Sequence, residues 1–403
     1  MLNVKTPDEV LEIINKEFGP LGRIETVPLE ESLGRTAAED VCGTEYVPGF
    51  DRSSVDGYAM KARDSFGCSE SIPAILKISA KIEMGAPFEG EIKSGCCASV
   101  PTGGKVPEGA DSVVMVEYAE KLSDTEIAVI RPVSPGENVV FKGDDCSPGQ
   151  SVIRKGTVIK AQHIGACASL GIDEVPVAKR ITAGIISTGD ELVSINDTPS
   201  DGQVRDVNSY ALAALCRDWG CSVISYGFVK DDEDTLKGIT EKALSECDLV
   251  MISGGSSVGQ KDATARVIEG FGRLLFHGIA MKPGKPTILG VCNGKPVIGL
   301  PGHPGASFFV SSIFVRPIIS RLLGGASLDW TVKALLKEAV PANQGRTVYV
   351  GVTLEKDGEE VYAMPVQSKS GLISSLTKSD GFICIPRDCE GFPKGSAVNV
   401  TVF

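Results

Sequence analysis

The chain has 403 residues, of which 42% are hydrophobic and 23% are charged, a composition typical of a soluble globular protein with about two to four domains. Its formal net charge of −12 repels polyanions, and no run of lysine and arginine is long enough to indicate a nucleic-acid or membrane-surface site. We therefore expect neither a nucleic-acid nor a membrane partner, so any anionic ligand must be bound by a local cluster of groups.

The N-terminal segment is predicted to be an amphipathic helix. Within residues 7–17, apolar residues at positions 10, 11, 13 and 14 lie near one helical face, behind Thr6 and Pro7, which suit a helix start. Acidic residues at positions 8, 9 and 12 interrupt the apolar core that a secretory signal would need. The segment is therefore expected to belong to the folded protein.

Residues 47–149 are predicted to form a β-rich module that is inserted into a first domain. Short alternating runs such as AILKISAKI and EIAVIRPV are separated by Pro-Gly, Gly-Gly and Asp-Gly turn signals. Residues 150–179 contain a helix-like stretch at 161–170, which we expect to return and pack with the first helix. Residues 1–46 and 150–179 would then form one interrupted linker domain I, and 47–149 would form domain II.

Residues 180–326 are predicted to form an α/β domain III. Apolar runs such as ITAGIIST, CSVISYGFV and DLVMIS alternate with amphipathic helical segments, which is the pattern of a parallel sheet covered on both faces. The stretch TILGVCNGKPVIGL adds a hairpin at Asn293-Gly294. The sheet is therefore expected to be mixed and mostly parallel, with ligands bound beyond the carboxyl ends of its parallel strands.

Residues 327–403 are predicted to form a β-rich domain IV. Apolar side chains alternate at positions 348, 350, 352 and 354, EKDGEE provides a turn, and valines at 398, 400 and 402 close the chain. A small barrel or sandwich fits this pattern. The fold class is therefore expected to be multidomain α/β with a β-rich insertion and a C-terminal β domain.

Cysteine spacing and the longest apolar stretch favour a cytoplasmic location. The twelve cysteines show no CxxC or other metal-binding spacing, so reduced thiols are expected. The stretch ASFFVSSIFV from Ala306 is stopped by Arg316 and Pro317, well short of a bilayer span.

Unusual polar residues follow four predicted strands of domain III. Because the carboxyl ends of parallel strands meet at one edge, these loops should converge on one rim. Carboxylates there suit Mg²⁺, and backbone amides at helix N-termini suit phosphate. Taken singly, Asp232 and Asp262 could equally cap the helices that they precede. The four clusters are Ser187-Thr188-Gly189-Asp190-Glu191, Asp231-Asp232, Gly254-Gly255-Ser256-Ser257 with Asp262, and Pro301-Gly302-His303-Pro304.

The stretch GGSSVGQKD nearly matches a nucleotide phosphate-binding loop. Gly254 and Gly259 have the required spacing, but Gln260 stands where a lysine is needed. Two other cations lie farther along the chain, in KPGKP, where proline and glycine fix the spacing of Lys282 and Lys285 in a way that suits an oxyanion. Surface lysines are as often only solvated. A helix over 304–323 should direct its first free amides to the same rim.

Polar residues in the loops of the β-rich module carry no local sign of chemistry. Aspartates in Gly/Pro loops are most often turn formers, and that is our interpretation of Asp51, Asp111 and Asp144. Nothing in the local sequence distinguishes Asp56, Thr102 or Asp145 from them.

Seven motifs in a fixed order carry a resemblance that covers nearly the whole chain. They are FDRSSVDGYAM, PTGGKVPEGADSVVMVE, GDD, ISTGDEL, GGSSVGQKD, KPGKP and GLPGHP. In this order they resemble the molybdopterin molybdenumtransferase family, which includes MoeA and the gephyrin E domain. The resemblance implies a dimeric, four-domain subunit with a MogA-like domain III and a C-terminal β-barrel. It also implies the final step of molybdenum cofactor biosynthesis, in which Mg²⁺-dependent insertion of molybdate into adenylylated molybdopterin releases AMP and the cofactor.

The resemblance gives roles to residues in three groups. Glu191, Asp231 and Asp262 are similar to carboxylates that position Mg²⁺ and the pyrophosphate. The domain II residues Asp56, Thr102 and Asp145 match polar positions that would face the rim of the partner subunit in the dimer, where they would be catalytic. The residues expected to hold the pterin phosphate or molybdate are Ser187, Thr188, Gly189, Asp190, Gly254, Gly255, Ser256, Ser257, Gly259, Lys282, Lys285, Pro301, Pro304, Arg346 and one of Ser374 and Ser375.

Two other functions remain open from the sequence. One is a MogA-type molybdopterin adenylyltransferase, which the α/β domain alone would fit although the two additional β domains argue against it. The other is a scaffold similar to gephyrin. The resemblance also implies MogA-type proteins and molybdoenzymes as protein partners. Two departures from the family pattern are visible: after GLPGHP, Gly305-Ala306 precede Ser307 instead of the usual Val-Ser, and Lys142 precedes GDD where arginine is more usual.

Overall fold

The structure is a computed structural model that describes residues 4–86, 88–230, 232–254, 260–325, 330–366 and 373–403, with the backbone alone at 260–262. Three six-stranded sheets and five short two-stranded ribbons organise the described chain. Its α-helices are Pro7–Glu17, Ala161–Ser169, Asn208–Asp218, Glu233–Glu246, Gln260–Phe271, Pro304–Val310 and Arg316–Leu323. Single 3₁₀ turns cover Leu29–Ser32, Ala62–Ser65, Val116–Tyr118 and Ile373–Lys378.

The first helix forms where it was predicted but packs against a different partner. It begins after Thr6, whose Oγ1 accepts the Glu9 N–H at 3.3 Å while the Glu9 carboxylate accepts the Thr6 N–H at 2.7 Å. Its buried residues Val10 and Ile14 belong to the apolar core that also contains Ile318. The prediction that it packs with the helix Ala161–Ser169 is therefore wrong, since that helix buries Cys167 in a separate core.

Strand pairing joins the chain segments on either side of residues 47–149. Ile24–Pro28 pairs antiparallel with Glu174–Ala178, and Val41–Cys42 pairs antiparallel with Ser151–Ile153. Hydrophobic periodicity detects helices more readily than short edge strands. For this reason we predicted contact between two helices where the structure has strand pairing. Residues 47–149 are therefore inserted between strands that pair with each other in two ribbons.

The inserted segment is built around its own mixed six-stranded sheet, which we call the inserted sheet. All its neighbouring strands are antiparallel except Ala74–Lys81 and Cys96–Val100. Ribbon Arg52–Ser53 with Val139–Val140 lies beside it. In spatial order the strands of the sheet are Ser112–Met115, Gly57–Met60, Cys96–Val100, Ala74–Lys81, Glu126–Val129 and Ala119–Lys121.

The α/β segment contains the second six-stranded sheet, called here the central sheet. Its first four strands are parallel, the fifth is joined antiparallel to the fourth through the hairpin at Asn293 and Gly294, both with positive φ, and the sixth pairs antiparallel with the fifth. The mixed, mostly parallel sheet is thus confirmed. Burial of residues 183–188 on both faces reflects helices on each side. The strands in order are Ser222–Val229, Thr182–Thr188, Leu249–Gly254, Lys295–Leu300, Ile288–Cys292 and Gly272–His277, and a short ribbon pairs Leu192–Val193 with Val204–Arg205.

A long helix runs from Pro304 to Leu323, as predicted, with one π-helical turn at Ser311–Val315. By length and composition it is the one described helix that could cross a membrane, but 56% of its most apolar window is buried inside the protein. Phe314 and Ile318 are fully buried in the main core, so the apolar stretch is explained by packing.

The C-terminal segment forms a closed five-stranded barrel. Closure is made by Thr347–Asp357, which pairs with both Glu360–Pro365 and Gly381–Ile385. Met281–Lys282, from the α/β segment, adds to the barrel by pairing parallel with Thr347 and Val348. The remaining barrel strands are Thr331–Leu336 and Ala397–Val402, and Val340–Pro341 pairs with Gly391–Phe392 in a separate ribbon.

Candidate functional site

The loops that follow four parallel strands lie along one edge of the central sheet. Thr182–Thr188 lies between Ser222–Val229 and Leu249–Gly254, and Lys295–Leu300 is next in the sheet. Because these strands are parallel, the chain segments that begin at residues 189, 230, 255 and 301 all leave from the same edge. The predicted convergence on one rim is therefore present in the fold.

Ser187 supports this rim from inside the protein. Its side chain is 1% exposed, and its Oγ lies 3.1 Å from Asp206 Oδ1 and 2.9 Å from Ser209 Oγ. Asp206 Oδ1 also accepts the Ser209 N–H at 3.1 Å, at the start of the helix Asn208–Asp218. The Ser187 hydroxyl is thus occupied by protein groups, and the exposed part of its loop begins at Asp190.

A second buried contact joins two of the rim loops. The side-chain nitrogen of Asn208 donates to Ser253 Oγ at 2.7 Å and to the Gly302 carbonyl at 2.9 Å. Neither Asp206 nor Asn208 is among the residues predicted from the sequence for this rim. The signal that could have found them is the run DVNS, which places three polar side chains before an apolar helix.

The predicted metal ligands are only partly described. Glu191 is exposed at the rim, whereas Asp231 and the side chain of Asp262 lie outside the described residues, as do Gly255, Ser256, Ser257 and Gly259. In the described part of the chain, no three His, Cys, Asp or Glu side chains are grouped as a metal site. Glu191 is therefore the one member of the predicted carboxylate set whose position is known.

Asp232 has the capping role that the sequence left open. Its carboxylate accepts the Thr235 N–H at 2.8 Å and the Thr235 hydroxyl at 2.5 Å at the start of the helix Glu233–Glu246. These hydrogen bonds, the one from the side chain first, lower the pKa of Asp232. Its charge stabilises the N-terminus of this helix.

Three predicted cations line one cleft between the central sheet and the barrel. Lys282, Lys285 and Arg346 lie in its wall, and its volume is about 790 Å³. The pairing of Met281–Lys282 with the strand that follows Arg346 explains how residues 64 positions apart in the chain come together (346 − 282). None of the three cations forms an ion pair or hydrogen bond with any residue that the structure describes. They are available for an anionic ligand.

The same cleft contains other predicted residues and several that the sequence analysis missed. Pro301 and Ser375 line it, whereas Ser374 is exposed and does not. Glu338 contributes a negative charge to the wall. His303, from the predicted cluster at 301–304, also lines it, and the missed residues Glu338, Tyr349 and Ser379 come from three separate positions that share no sequence motif. Burial, the main cause, and a hydrogen bond to Cys384 raise the pKa of Tyr349, so its phenol is neutral.

A smaller cavity of about 260 Å³ adjoins this cleft. The two share Pro286, Pro301 and His303 as lining residues. Gly254, at the carboxyl end of its strand, and Thr264, in the helix Gln260–Phe271, complete one side of the smaller cavity. A continuous depression therefore runs from the rim to the cations.

The N-terminus of the long helix faces the cleft. Pro304 is its first residue, and Gly305 and Ala306 line the cleft. The first intrahelical hydrogen bond is donated by Ser307 to the His303 carbonyl at 3.0 Å. The preceding amides, which have no carbonyl in the helix to bond to, lie where an anion would be stabilised.

Asp56 and Thr102 are brought together in the inserted segment. Asp56 Oδ1 accepts the Thr102 N–H at 2.6 Å and the Thr102 hydroxyl at 2.9 Å. These bonds, the backbone one first, lower the pKa of Asp56. A cavity of about 410 Å³ beside Asp56 is lined by residues 56–116 alone, so it is separate from the cleft. Asp145 is exposed on another loop and uses its N–H to bind the Val47 carbonyl at 3.0 Å.

Of the other loop aspartates of the inserted segment, Asp144 is a turn former, as predicted, whereas Asp51 and Asp111 bond to backbone far away in the chain. Asp51 accepts the Lys142 N–H at 2.8 Å, Asp111 accepts the Ala62 N–H at 2.7 Å and Asp144 accepts the Phe141 N–H at 2.7 Å. The Asp144 carboxylate therefore fixes a local turn, while those of Asp51 and Asp111 hold distant segments together.

Three family descriptions match successive parts of the chain. Residues 5–171 match "MoeA N-terminal region (domain I and II)", residues 184–321 match "Probable molybdopterin binding domain", and residues 333–403 match "MoeA C-terminal region (domain IV)".

Similar proteins cover almost the whole length. A protein of Methanocaldococcus jannaschii named for molybdopterin biosynthesis is 35% identical over 97% of this chain and 95% of its own. The molybdopterin molybdenumtransferase of Bacillus subtilis is 31% identical over 99% of this chain and 95% of its own. The crystal structure of the molybdopterin biosynthesis moeA protein of Pyrococcus horikoshii is 33% identical, covers 100% of both chains and has a TM-score of 0.88. The predicted fold class is confirmed.

Proposed function

The chain belongs to the molybdopterin molybdenumtransferase family, and from this premise we propose that it inserts molybdate into adenylylated molybdopterin in an Mg²⁺-dependent reaction that releases AMP and the molybdenum cofactor. The observation that best supports the proposal is the cleft in which Lys282, Lys285 and Arg346 meet beside the rim. In a chain with a net charge of −12, such a local group of cations fits the capture of a small dianion.

Molybdate, as a substrate, would be bound by these three cations. Their charges outnumber the single carboxylate of Glu338 in the same wall. Ser375 and the first amides of the long helix add hydrogen-bond donors on other sides of the cleft. The residues bind and orient the oxyanion, and no protein nucleophile is required.

At the rim, the exposed carboxylate of Glu191 would suit a hard divalent cation. A Cβ at Gly189 would lie 2.8 Å from Glu191 Oε2, so the absence of a side chain at residue 189 provides space for the Glu191 carboxylate. Carboxylate oxygens are the ligands that Mg²⁺ prefers, and Asp231 and Asp262 would complete the set. When bound, Mg²⁺ supplies charge neutralisation at the pyrophosphate. The rim loops from Thr188 and Gly254 would hold the pterin-linked phosphate.

Asp56, Thr102 and Asp145 would act on the rim of a partner subunit in a homodimer. The cavity beside Asp56 shares no lining residue with the cleft of its own chain, which supports a role for Asp56 at a partner's rim. The proposal includes a cytoplasmic location, where MogA-type proteins and molybdoenzymes would be its protein partners.

A substrate comparison tests the reaction. The purified protein is given adenylylated molybdopterin with molybdate and Mg²⁺, or molybdopterin with ATP, and cofactor and AMP are measured. Product from the first pair supports the proposal, whereas product from the second alone favours a MogA-type adenylyltransferase. A parent-like rate for Glu191→Ala or Asp262→Ala would show that the rim is wrongly assigned. Glu31→Ala, an exposed glutamate far from the rim, is the matched control.

A mixing experiment tests the shared site. Asp56→Asn and Glu191→Gln chains are each inactive in the proposal, but a mixed dimer would contain one intact site. Random exchange of subunits makes half of the dimers mixed and restores about a quarter of all sites. Activity that stays at the level of the separate variants after subunit exchange would contradict a site shared between subunits.

A further inference from the structure

Asn208 links two loops that border the small cavity, but it lines neither that cavity nor the cleft. One loop begins at Gly254 and the other is the turn at residues 301–304. They are in contact, because a Cβ at Gly302 would lie 3.7 Å from Gly254 Cα. The helix Asn208–Asp218 starts beneath this contact, so its first side chain can reach both loops.

The hydrogen bonds of Asn208 determine which way its amide faces. The Gly302 carbonyl can only accept, so the atom 2.9 Å away must be the side-chain nitrogen. The second hydrogen of that nitrogen is directed to Ser253 Oγ at 2.7 Å. Both donors are thereby used, one for each loop.

In this orientation the side-chain oxygen of Asn208 has no hydrogen-bond partner among the described residues. Asn208 is 9% exposed, and its Oδ1 is buried. An unsatisfied buried acceptor destabilises the folded state, and such a group in a folded protein calls for an explanation. The two donated bonds provide one, since they hold the loops together.

We propose that Asn208 is a positioning residue for the reaction. It holds the turn at 301–304 against the end of the strand Leu249–Gly254, and this contact sets the shape of the small cavity. The same turn carries His303 and Pro304, so Asn208 also fixes the direction in which the long helix enters the cleft. The inference rests on the proposed function for the identity of the reaction that it serves.

The test compares Asn208→Ala and Asn208→Asp with the parent protein. Alanine removes both donors, whereas aspartate keeps the shape and places an acceptor against the Gly302 carbonyl. We expect kcat/KM for adenylylated molybdopterin to fall about tenfold to a hundredfold in both, with the larger loss in Asn208→Asp. Hydrogen exchange of the full chain, read by mass spectrometry, should become faster in the peptide that covers residues 301–307.

Asn138→Asp is the matched control. Asn138 also donates its side-chain amide to a backbone carbonyl, that of Val113 at 2.8 Å, but it does so in the inserted segment. The melting temperature of Asn138→Asp should fall about as much as that of the Asn208 variants, while hydrogen exchange at residues 301–307 should not change. A parent-like kcat/KM in Asn208→Ala, or unchanged exchange at 301–307, would overturn the inference.

Two further measurements keep the result decisive. If Asn208→Ala does not fold, Ser253→Ala, which removes only one of the two acceptors, is measured in its place against the same two criteria. If the parent protein itself fails to convert adenylylated molybdopterin, the proposed function is wrong, but the exchange measurement still tests whether Asn208 holds the turn.

Discussion

One oxygen of Asp56 accepts two hydrogen bonds from Thr102, at 2.6 Å from the backbone N–H and 2.9 Å from the hydroxyl, across 46 positions of the chain. These bonds favour the charged carboxylate and lower its pKa below the ordinary value of 3.8. Because the folded pKa is lowered, their contribution to stability is present above pH 3.8 and is lost as the pH falls through the folded pKa.

Thr102→Val should raise the pKa of Asp56 without restoring its ordinary value. Valine removes the hydroxyl bond but keeps the backbone N–H, which is the larger cause of the shift. The measurement is an NMR titration of the Asp56 carboxyl carbon in the parent and the variant. An unchanged midpoint would show that the hydroxyl does not contribute to the charge state of Asp56.

Removing either cleft lysine should weaken the use of molybdate more than it slows turnover. Lys282→Ala and Lys285→Ala are each expected to raise the KM for molybdate about tenfold, equivalent to about 1.4 kcal/mol. Steady-state kinetics with molybdate and tungstate in parallel would measure this. Lys333 is an exposed lysine of the barrel strand Thr331–Leu336, and Lys333→Ala should leave KM and kcat unchanged. An equal rise of KM in Lys333→Ala would contradict a specific role for the cleft lysines.

Glu338→Gln should lower the KM for molybdate, the opposite of the effect expected for the lysine variants. Its carboxylate lines the cleft together with the three cations, so removing the negative charge should lower the KM for molybdate about two- to fivefold. The effect should shrink as salt is raised, because exposed charges are screened. A higher KM would mean that Glu338 helps to hold the substrate.

Gly254→Ala should damage the rim. Gly254 has φ of +143°, and a Cβ there would lie 2.2 Å from both Thr188 O and Thr188 Oγ1. The backbone must shift, at a cost of about 1–3 kcal/mol, and activity should be lost with it. Gly238→Ala is the control, because Gly238 lies in a helix with no atom within 4 Å of an added Cβ and alanine should stabilise it by about 1 kcal/mol. Thermal unfolding and turnover distinguish the two outcomes.

The cysteines should react in the order of their exposure. All twelve are free, two are exposed and seven are buried. Burial raises the pKa of Cys97 and Cys216 to about 12 and that of Cys292 to about 11. Ellman's reagent near pH 8 should therefore label Cys42 first, Cys384 more slowly because partial burial raises the pKa of its thiol, and the buried thiols only after unfolding.

Buried thiols also predict how stability depends on alkaline pH. Their folded pKa values are raised above the ordinary 9.0, so their contribution is complete below pH 9 and is lost as the pH rises toward 11–12. Denaturant unfolding between pH 8 and 11 would measure this, and constant stability over that range would contradict it.

The sequence predicted the central sheet well because its signals are local. Five- to eight-residue β-branched runs, amphipathic helices and an Asn-Gly turn each specify an element without reference to the rest of the chain. The cleft was predicted only in part. Lys282 and Lys285 share a Pro-Gly motif and His303 lies in GLPGHP, but Glu338 and Ser379 enter the cleft through tertiary packing alone, which no local pattern records.

The same limit applies to the buried polar groups. A helix start predicts a capping role for polar residues, and Asp232 has that role. Asn208 occupies a similar position in sequence but bonds to Ser253 and Gly302, which are 45 and 94 positions away. Only the arrangement of strands in space distinguishes the two.

The ribbon formed by Ile24–Pro28 and Glu174–Ala178 sets an order of events during translation. At about 5–20 residues per second, the ribosome needs roughly 8–30 s to make the chain of about 150 residues that separates these strands. Val27, buried in the finished ribbon, remains unpaired during that interval. The inserted sheet, whose strands all lie between residues 57 and 129, can complete its pairing first. A nascent chain released before residue 178 would therefore contain the complete inserted sheet, but its ribbon of Ile24–Pro28 with Glu174–Ala178 would be incomplete.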